Sequence, residues 1–142
     1  MKYLFFLMPL LFTVSCEILE EDLSERRVEI LGPLSGASVP AGEVSFRWRA
    51  VEGAACYEFT VVESSFAAVR RIVCDTLLAA DTLGAARGYG LRATLAAGTY
   101  QWRVTAANGG YASVPAVQTL FVEEPSAPEQ PADPESPQTP AP

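Results

Sequence analysis

The chain has 142 residues and a mass of 15.2 kDa, room for one domain and its appendages but not two. Apolar types make up 49% and charged types 19%, so a core can form and disorder throughout is excluded. Ten basic against seventeen acidic side chains leave −7, which argues against binding nucleic acid, and the absence of histidine removes the commonest general base and metal ligand.

Lys2 supplies one positive charge, and Tyr3 to Val14 form an almost unbroken apolar run of twelve residues. A helix of that length spans about 18 Å, well short of a bilayer core of about 30 Å. The run therefore reads as an export signal rather than a membrane span. It ends Thr13-Val14-Ser15-Cys16, which resembles the lipobox of bacterial lipoproteins. The resemblance implies that residues 1–15 are a signal peptide and that Cys16 becomes the lipidated N-terminus. Palmitate and diacylglycerol would then hold the protein to a membrane of the bacterial envelope, expected to be the outer membrane, with the surface and periplasmic faces both open. An ordinary secretory signal with an incidental cysteine is the alternative.

Residues 16–25 make an acidic tether, with Glu17, Glu20, Glu21, Asp22 and Glu25 contributing −5. The block is similar to the anionic signal that sends some Gram-negative lipoproteins to the cell surface. A solvated spacer explains it equally well.

Residues 26–122 carry nine arginines against seven carboxylates and show the pattern of a folded domain. Apolar Val44, Phe46 and Trp48 alternate with Ser45 and Arg47. Tyr57, Phe59 and Val61 alternate with Glu58 and Thr60, and Tyr100, Trp102, Val104 and Ala106 with Gln101, Arg103 and Thr105. Period two with one apolar face predicts strands that cover a core on one side. Further strands are expected at 28–31, 70–75, 89–94 and 116–122, and residues 77–86 read as a helical turn or loop. Glycine and proline clusters separate the runs. Seven strands without a long helix predict an all-β, seven-stranded antiparallel sandwich with disordered flanks.

The stretch from Leu95 through Gly98-Thr99-Tyr100-Gln101-Trp102 to Asn108-Gly109-Gly110 resembles the sixth strand and turn of fibronectin type III domains, a branch of the immunoglobulin-like sandwiches. Gly53-Ala54 before Tyr57-Glu58-Phe59 resembles their third strand, and Trp48 falls at their second-strand core tryptophan. The resemblance covers residues 28–122. It implies that Trp48, Tyr100 and Trp102 are structural core residues, and that the Tyr100 hydroxyl bonds back to backbone near Leu95 as a tyrosine corner.

Once Cys16 is assigned to lipid, Cys56 and Cys74 remain as an even pair in an exported protein. A tight turn at Ser64-Ser65-Phe66 would set Cys56 directly opposite Cys74. The expected cross-strand disulfide would stabilise by about 3 kcal/mol, with two separate buried thiols as the alternative.

No catalytic, metal-ligand or phosphate-cradling motif occurs, so neither an enzyme nor a bound cofactor is expected. Asn108, Gly109, Gly110 and Tyr111 form the candidate binding loop, although the same glycines suit a plain hairpin turn. The last twenty residues, 123–142, carry −5 and a proline at every third position from Pro125 to Pro140. That period matches polyproline II, and a stretch with nothing to bury should stay disordered as a spacer. The expected function is a lipid-anchored, extracytoplasmic interaction module with a protein partner. Two alternatives stay open: a structural subunit of a surface fibre or envelope complex, and a carbohydrate-capture lipoprotein of an outer-membrane uptake system.

Overall fold

The computed structural model describes residues 20–126; the expected signal peptide, Cys16 and the tail from residue 127 onward lie outside the described residues. In chain order the elements are β1 (Ile30–Gly32), β2 (Ala37–Pro40), β3 (Gly42–Trp48), β4 (Cys56–Ser65), β5 (Ala68–Ala79), α1 (Thr82–Arg87), β6 (Tyr89–Leu95), β7 (Gly98–Ala107) and β8 (Ala116–Glu123). They form a three-stranded sheet, β1-β3-β6, and a five-stranded sheet, β2-β8-β7-β4-β5. The two sheets face each other as an all-β sandwich of the immunoglobulin and fibronectin type III kind.

The alternation read from the sequence decides which residues lie between the sheets. Val44, Phe46 and Trp48 of β3, Tyr57, Phe59 and Val61 of β4, and Tyr100, Trp102, Val104 and Ala106 of β7 are all buried in one core. Its centre is aromatic. The Phe46 ring meets Phe59 and Trp102 edge-on at 5.2 and 5.1 Å, and Trp48 stacks on Phe59 at 5.6 Å. Such pairs add about 0.5–1.5 kcal/mol each beyond the area they bury. The indole N–H groups of Trp48 and Trp102 have no hydrogen-bond acceptor there.

The structure adds an eighth strand to the expected seven. β2 pairs in parallel with β8, from Ala37 opposite Leu120 to Pro40 opposite Glu123, while every other strand pairing is antiparallel. The chain leaves the small sheet after β1, turns through residues 33–36 and joins the large sheet as β2. Only four residues long and lacking a large side chain, this strand gives no periodic signal. β5 is longer than expected and runs to Ala79, so α1 begins only at Thr82. The Asp81 carboxylate caps the helix by accepting from the Gly84 N–H at 2.6 Å.

The expected disulfide is absent, and both cysteines are free. Cys56 pairs with Ala79 and Cys74 with Val61. The two cysteines are thus five positions apart along the ladder, roughly 17 Å, and on opposite faces of the sheet. The hairpin turn sits further along the chain than a centre on Ser65, with Ser65 opposite Ala68, and two bulges displace the register further. Cys74 packs against the core, whereas the Cys56 thiol donates to the Ala107 carbonyl.

Candidate functional site

The strand directions bring four chain segments to one end of the sandwich, here called the apex. They are residues 20–29, the β3–β4 loop (49–55), the β5–β6 connection with α1 (80–88) and the β7–β8 loop (108–115). The opposite end, the base, carries the turns at 41, 64–67 and 96–97 and the exit of β8. The candidate loop 108–111 therefore lies beside the point where the chain enters the fold.

Asn108 organises that loop. Its Oδ1 accepts from the backbone N–H of Gly110 at 3.1 Å and of Tyr111 at 2.8 Å. Its Nδ2 donates to the carbonyls of Glu21 at 2.8 Å and Gly53 at 3.2 Å. One amide thus ties three segments together. The glycines complete the fit: a methyl at Gly53 would lie 2.7 Å from Glu21 Cβ, and one at Gly109 2.5 Å from a Glu20 carboxylate oxygen. Tyr111 alone of the four loop residues offers an exposed large side chain.

The acidic tether is partly built into the domain. Leu23 is wholly buried, Arg26 pairs with the Glu21 carboxylate at 2.5 Å, and Arg27 bridges in parallel to Val114. The Ser24 N–H and hydroxyl both donate to the Asp22 carboxylate, which holds that acid below its ordinary range. Folding therefore begins before Arg26. A leucine among five acids was the signal available in the sequence, and it carries no period that would mark it as core.

Beside Asn108 the apex opens into a cleft of about 580 Å³, whose lining includes Val51, Ala54, Tyr57, Ala80, Asp81 and Tyr89. The Tyr57 and Tyr89 rings meet there at 4.5 Å between centroids. The Tyr57 hydroxyl accepts from the Val51 N–H at 2.8 Å. The Tyr89 hydroxyl donates to the Asp81 carbonyl and accepts from the Asp81 N–H, both at 2.9 Å. These phenols brace loops. Burial pushes the Tyr57 phenol up, the Val51 N–H offsets part of that, and Tyr89 adds to the rise.

The three expected core residues divide between the ends and the middle. Trp48 ends β3 at the apex, Trp102 sits mid-sheet, and Tyr100 lies toward the base with its hydroxyl donating to the Ala96 carbonyl at 3.0 Å.

A second region, not foreseen from the sequence, is the outer face of the five-stranded sheet. Phe66, in the β4–β5 turn, donates its N–H to Gln101 Oε1 at 2.9 Å and lies under the Arg103 guanidinium at 4.7 Å. Thr60 donates to Asp75 at 3.0 Å. These contacts join three strands, β5, β4 and β7, and so cannot be read from local spacing.

No protein-family model matches the chain, and no curated protein matches it. Among solved structures the chain is similar to CopC from Methylosinus trichosporium OB3b, with 18% identity, a TM-score of 0.46, and coverage of 69% of this chain and 95% of that one. It is also similar to FN3tt, with 20% identity, a TM-score of 0.44, and coverage of 70% and 99%. The fn3 domain of human contactin 1 gives 15% identity, a TM-score of 0.46, and coverage of 82% and 96%. The assignment of the fold rests on the strand order itself.

Proposed function

We propose that the chain is a lipid-anchored, extracytoplasmic binding module of a bacterial envelope, without catalytic activity and with a protein as its partner. The observation that carries this reading is the placement of the chain ends. Residue 20 enters at the apex beside Asn108, and β8 leaves at the base. Only three residues lie between Cys16 and Glu20, at most about 14 Å of extended chain from one to the other. A lipid at Cys16 would set the apex toward the membrane and leave the base and both outer faces of the sandwich to partners. No helix among the described residues is long and apolar enough to cross a membrane, so attachment on this reading rests on the lipid.

The chemistry of the apex lends catalysis no support. Asn108, Asp81, Tyr57 and Tyr89 are each bonded to the chain's own backbone rather than aimed at a shared point in the cleft. Sugar capture draws less support, because Trp48 and Trp102 are buried while the exposed aromatics Tyr111 and Phe121 lie toward opposite ends and form no common platform.

Membrane fractionation of Cys16→Ser tests the anchor. The variant is expected in the soluble fraction after a carbonate wash, and retention on membranes would refute the lipid assignment. Protease treatment of intact cells then separates surface from periplasmic display.

A further inference from the structure

The outer face of the three-stranded sheet sets exposed arginines among small residues. Ser45 and Arg47 of β3 with Gly90 and Arg92 of β6 line a shallow hollow of about 540 Å³. Gly90 stands opposite Arg47 in the ladder, so no cross-strand side chain fills the space beside that arginine. Toward the apex a second hollow, of about 300 Å³, is lined by Leu31, Arg49, Arg87 and the small residues Ala85, Ala86 and Gly88. Arg92 pairs with Glu43 and Arg49 with Glu29, while among the described residues no carboxylate pairs with Arg47 or Arg87. Four arginines against two glutamates leave this face at +2. The polar hollow on the five-stranded sheet has the opposite balance, with Glu58 and Asp75 against Arg103.

The same chain carries the complementary charge. β8 ends at Glu123, whose carbonyl accepts from the Ala41 N–H at 2.8 Å, so the chain leaves the fold beside the start of β3. Beyond that exit come Glu129, Asp133 and Glu135, a proline at every third position and no basic residue. We infer that this acidic stretch, residues 129–135, docks on the arginine face of its own domain. Six residues of polyproline II carry the chain about 19 Å from Glu123 to Glu129. Along β3 the path from Ala41 to Ser45 is about 14 Å, so Glu129 reaches the lower hollow once the chain doubles back after Glu124. The step from the lower hollow to the upper, Ser45 to Arg49, is again about 14 Å. Asp133 lies about 12 Å beyond Glu129 and Glu135 about 19 Å, which brackets that step.

The form of the segment suits the site. Polyproline II makes no ladder of hydrogen bonds, so it can lie on a sheet face, where no backbone group is free to pair. Exposed ion pairs are weak singly. Tethering offsets that weakness, because a segment joined to the same domain by a few residues is present at an effective concentration in the millimolar range. A separate anionic partner lacks that advantage and has to displace the tail to reach the face. The inference does not depend on the anchor, since both halves of the contact belong to one chain.

Amide NMR of the chain from residue 16 onward, carrying Cys16→Ser, tests it. At about 0.01 M salt, where the screening length is roughly 30 Å, residues 129–135 should show the heteronuclear NOE of an ordered segment. Glu129→Gln, Asp133→Asn and Glu135→Gln together alter nothing in the described domain. They should bring those NOEs to random-coil values and move the Arg47, Gly90 and Arg92 amides, leaving Glu58 and Arg103 in place. Salt at about 1 M, which screens beyond roughly 3 Å, should release the unsubstituted tail in the same way. Arg47→Glu with Arg87→Glu should release it too, and adding Glu129→Arg and Glu135→Arg should dock it again. Arg103→Glu, on the other sheet, should leave it docked. Random-coil NOEs for the unsubstituted tail at low salt overturn the inference, as does a tail that stays ordered when neutralised. Ordering that appears only as the chain concentration rises marks the tail of another copy and also overturns it. So does failure of the combined charge reversal to redock the tail on a domain whose core amides are unmoved.

Discussion

The apex and the base are built on different principles. At the base, short turns join neighbouring strands, and Tyr100 braces one of them through the Ala96 carbonyl. At the apex, Asn108 ties together three segments distant in sequence, the Tyr57 and Tyr89 rings meet across two loops, and each phenol and the Asp81 cap braces its own loop. Loops at the end of a sandwich are commonly free to vary and to bind. Here the loop at 108–111 also holds the incoming chain, through the Asn108 amide on the Glu21 carbonyl.

Substitutions can break or sharpen that contrast. Trp48→Ala removes a core residue at the apex, where it packs on Tyr57, Phe59 and Tyr89. It should cost about 3–5 kcal/mol in urea unfolding, a large part of the roughly 5–15 kcal/mol such a domain has. Leu23→Ala should cost about 2–5 kcal/mol if the buried leucine truly belongs to the domain, while a solvated tether would leave the urea midpoint unmoved. Asn108→Ala should cost about 1–2 kcal/mol and speed hydrogen exchange across residues 20–23 and 109–111, with exchange at the base unaltered.

Tyr57→Phe and Tyr100→Phe should each cost about 1 kcal/mol at neutral pH, one at either end. The Tyr57 phenol is raised in the folded state, so its contribution is complete below the unfolded value of about 10 and declines as pH climbs past it. Tyr57→Phe should therefore flatten the alkaline loss of melting temperature. The smallest expected effect is none at all. Reductant should leave the melting temperature unchanged, because Cys56 and Cys74 are both thiols. Burial, with Asp75 adding to it, pushes the Cys74 thiol up, so that it should alkylate slowly at pH 8 until urea is added.

The core was legible because each buried face repeats every second residue over runs such as Val44-Phe46-Trp48, and that period survives any register. Register itself was not legible. A turn centred further along the chain shifts the pairing by three positions and two bulges in β5 add two more, which moves the cysteines from facing partners to opposite faces, and a bulge leaves no mark in composition. The loop 108–111 was found by its turn chemistry, but its occupant was hidden, since Glu20 and Glu21 meet it only after nearly ninety residues of chain have folded. The exposed Leu77 and Phe121 on the outer face of the large sheet stayed unseen for the same reason: they share a face only once four strands are in order.

The parallel pairing of β2 with β8 has a mechanical consequence. A pull that draws the N-terminal side toward the apex and the C-terminal side toward the base slides these two strands past each other lengthwise. Four pairs, Ala37 with Leu120 through Pro40 with Glu123, then bear the load together, because the evenly spaced bonds of a parallel ladder are sheared at the same time. A domain strung in this way resists stretching by shear rather than by peeling one rung at a time, a useful trait for anything held at one end and tugged at the other.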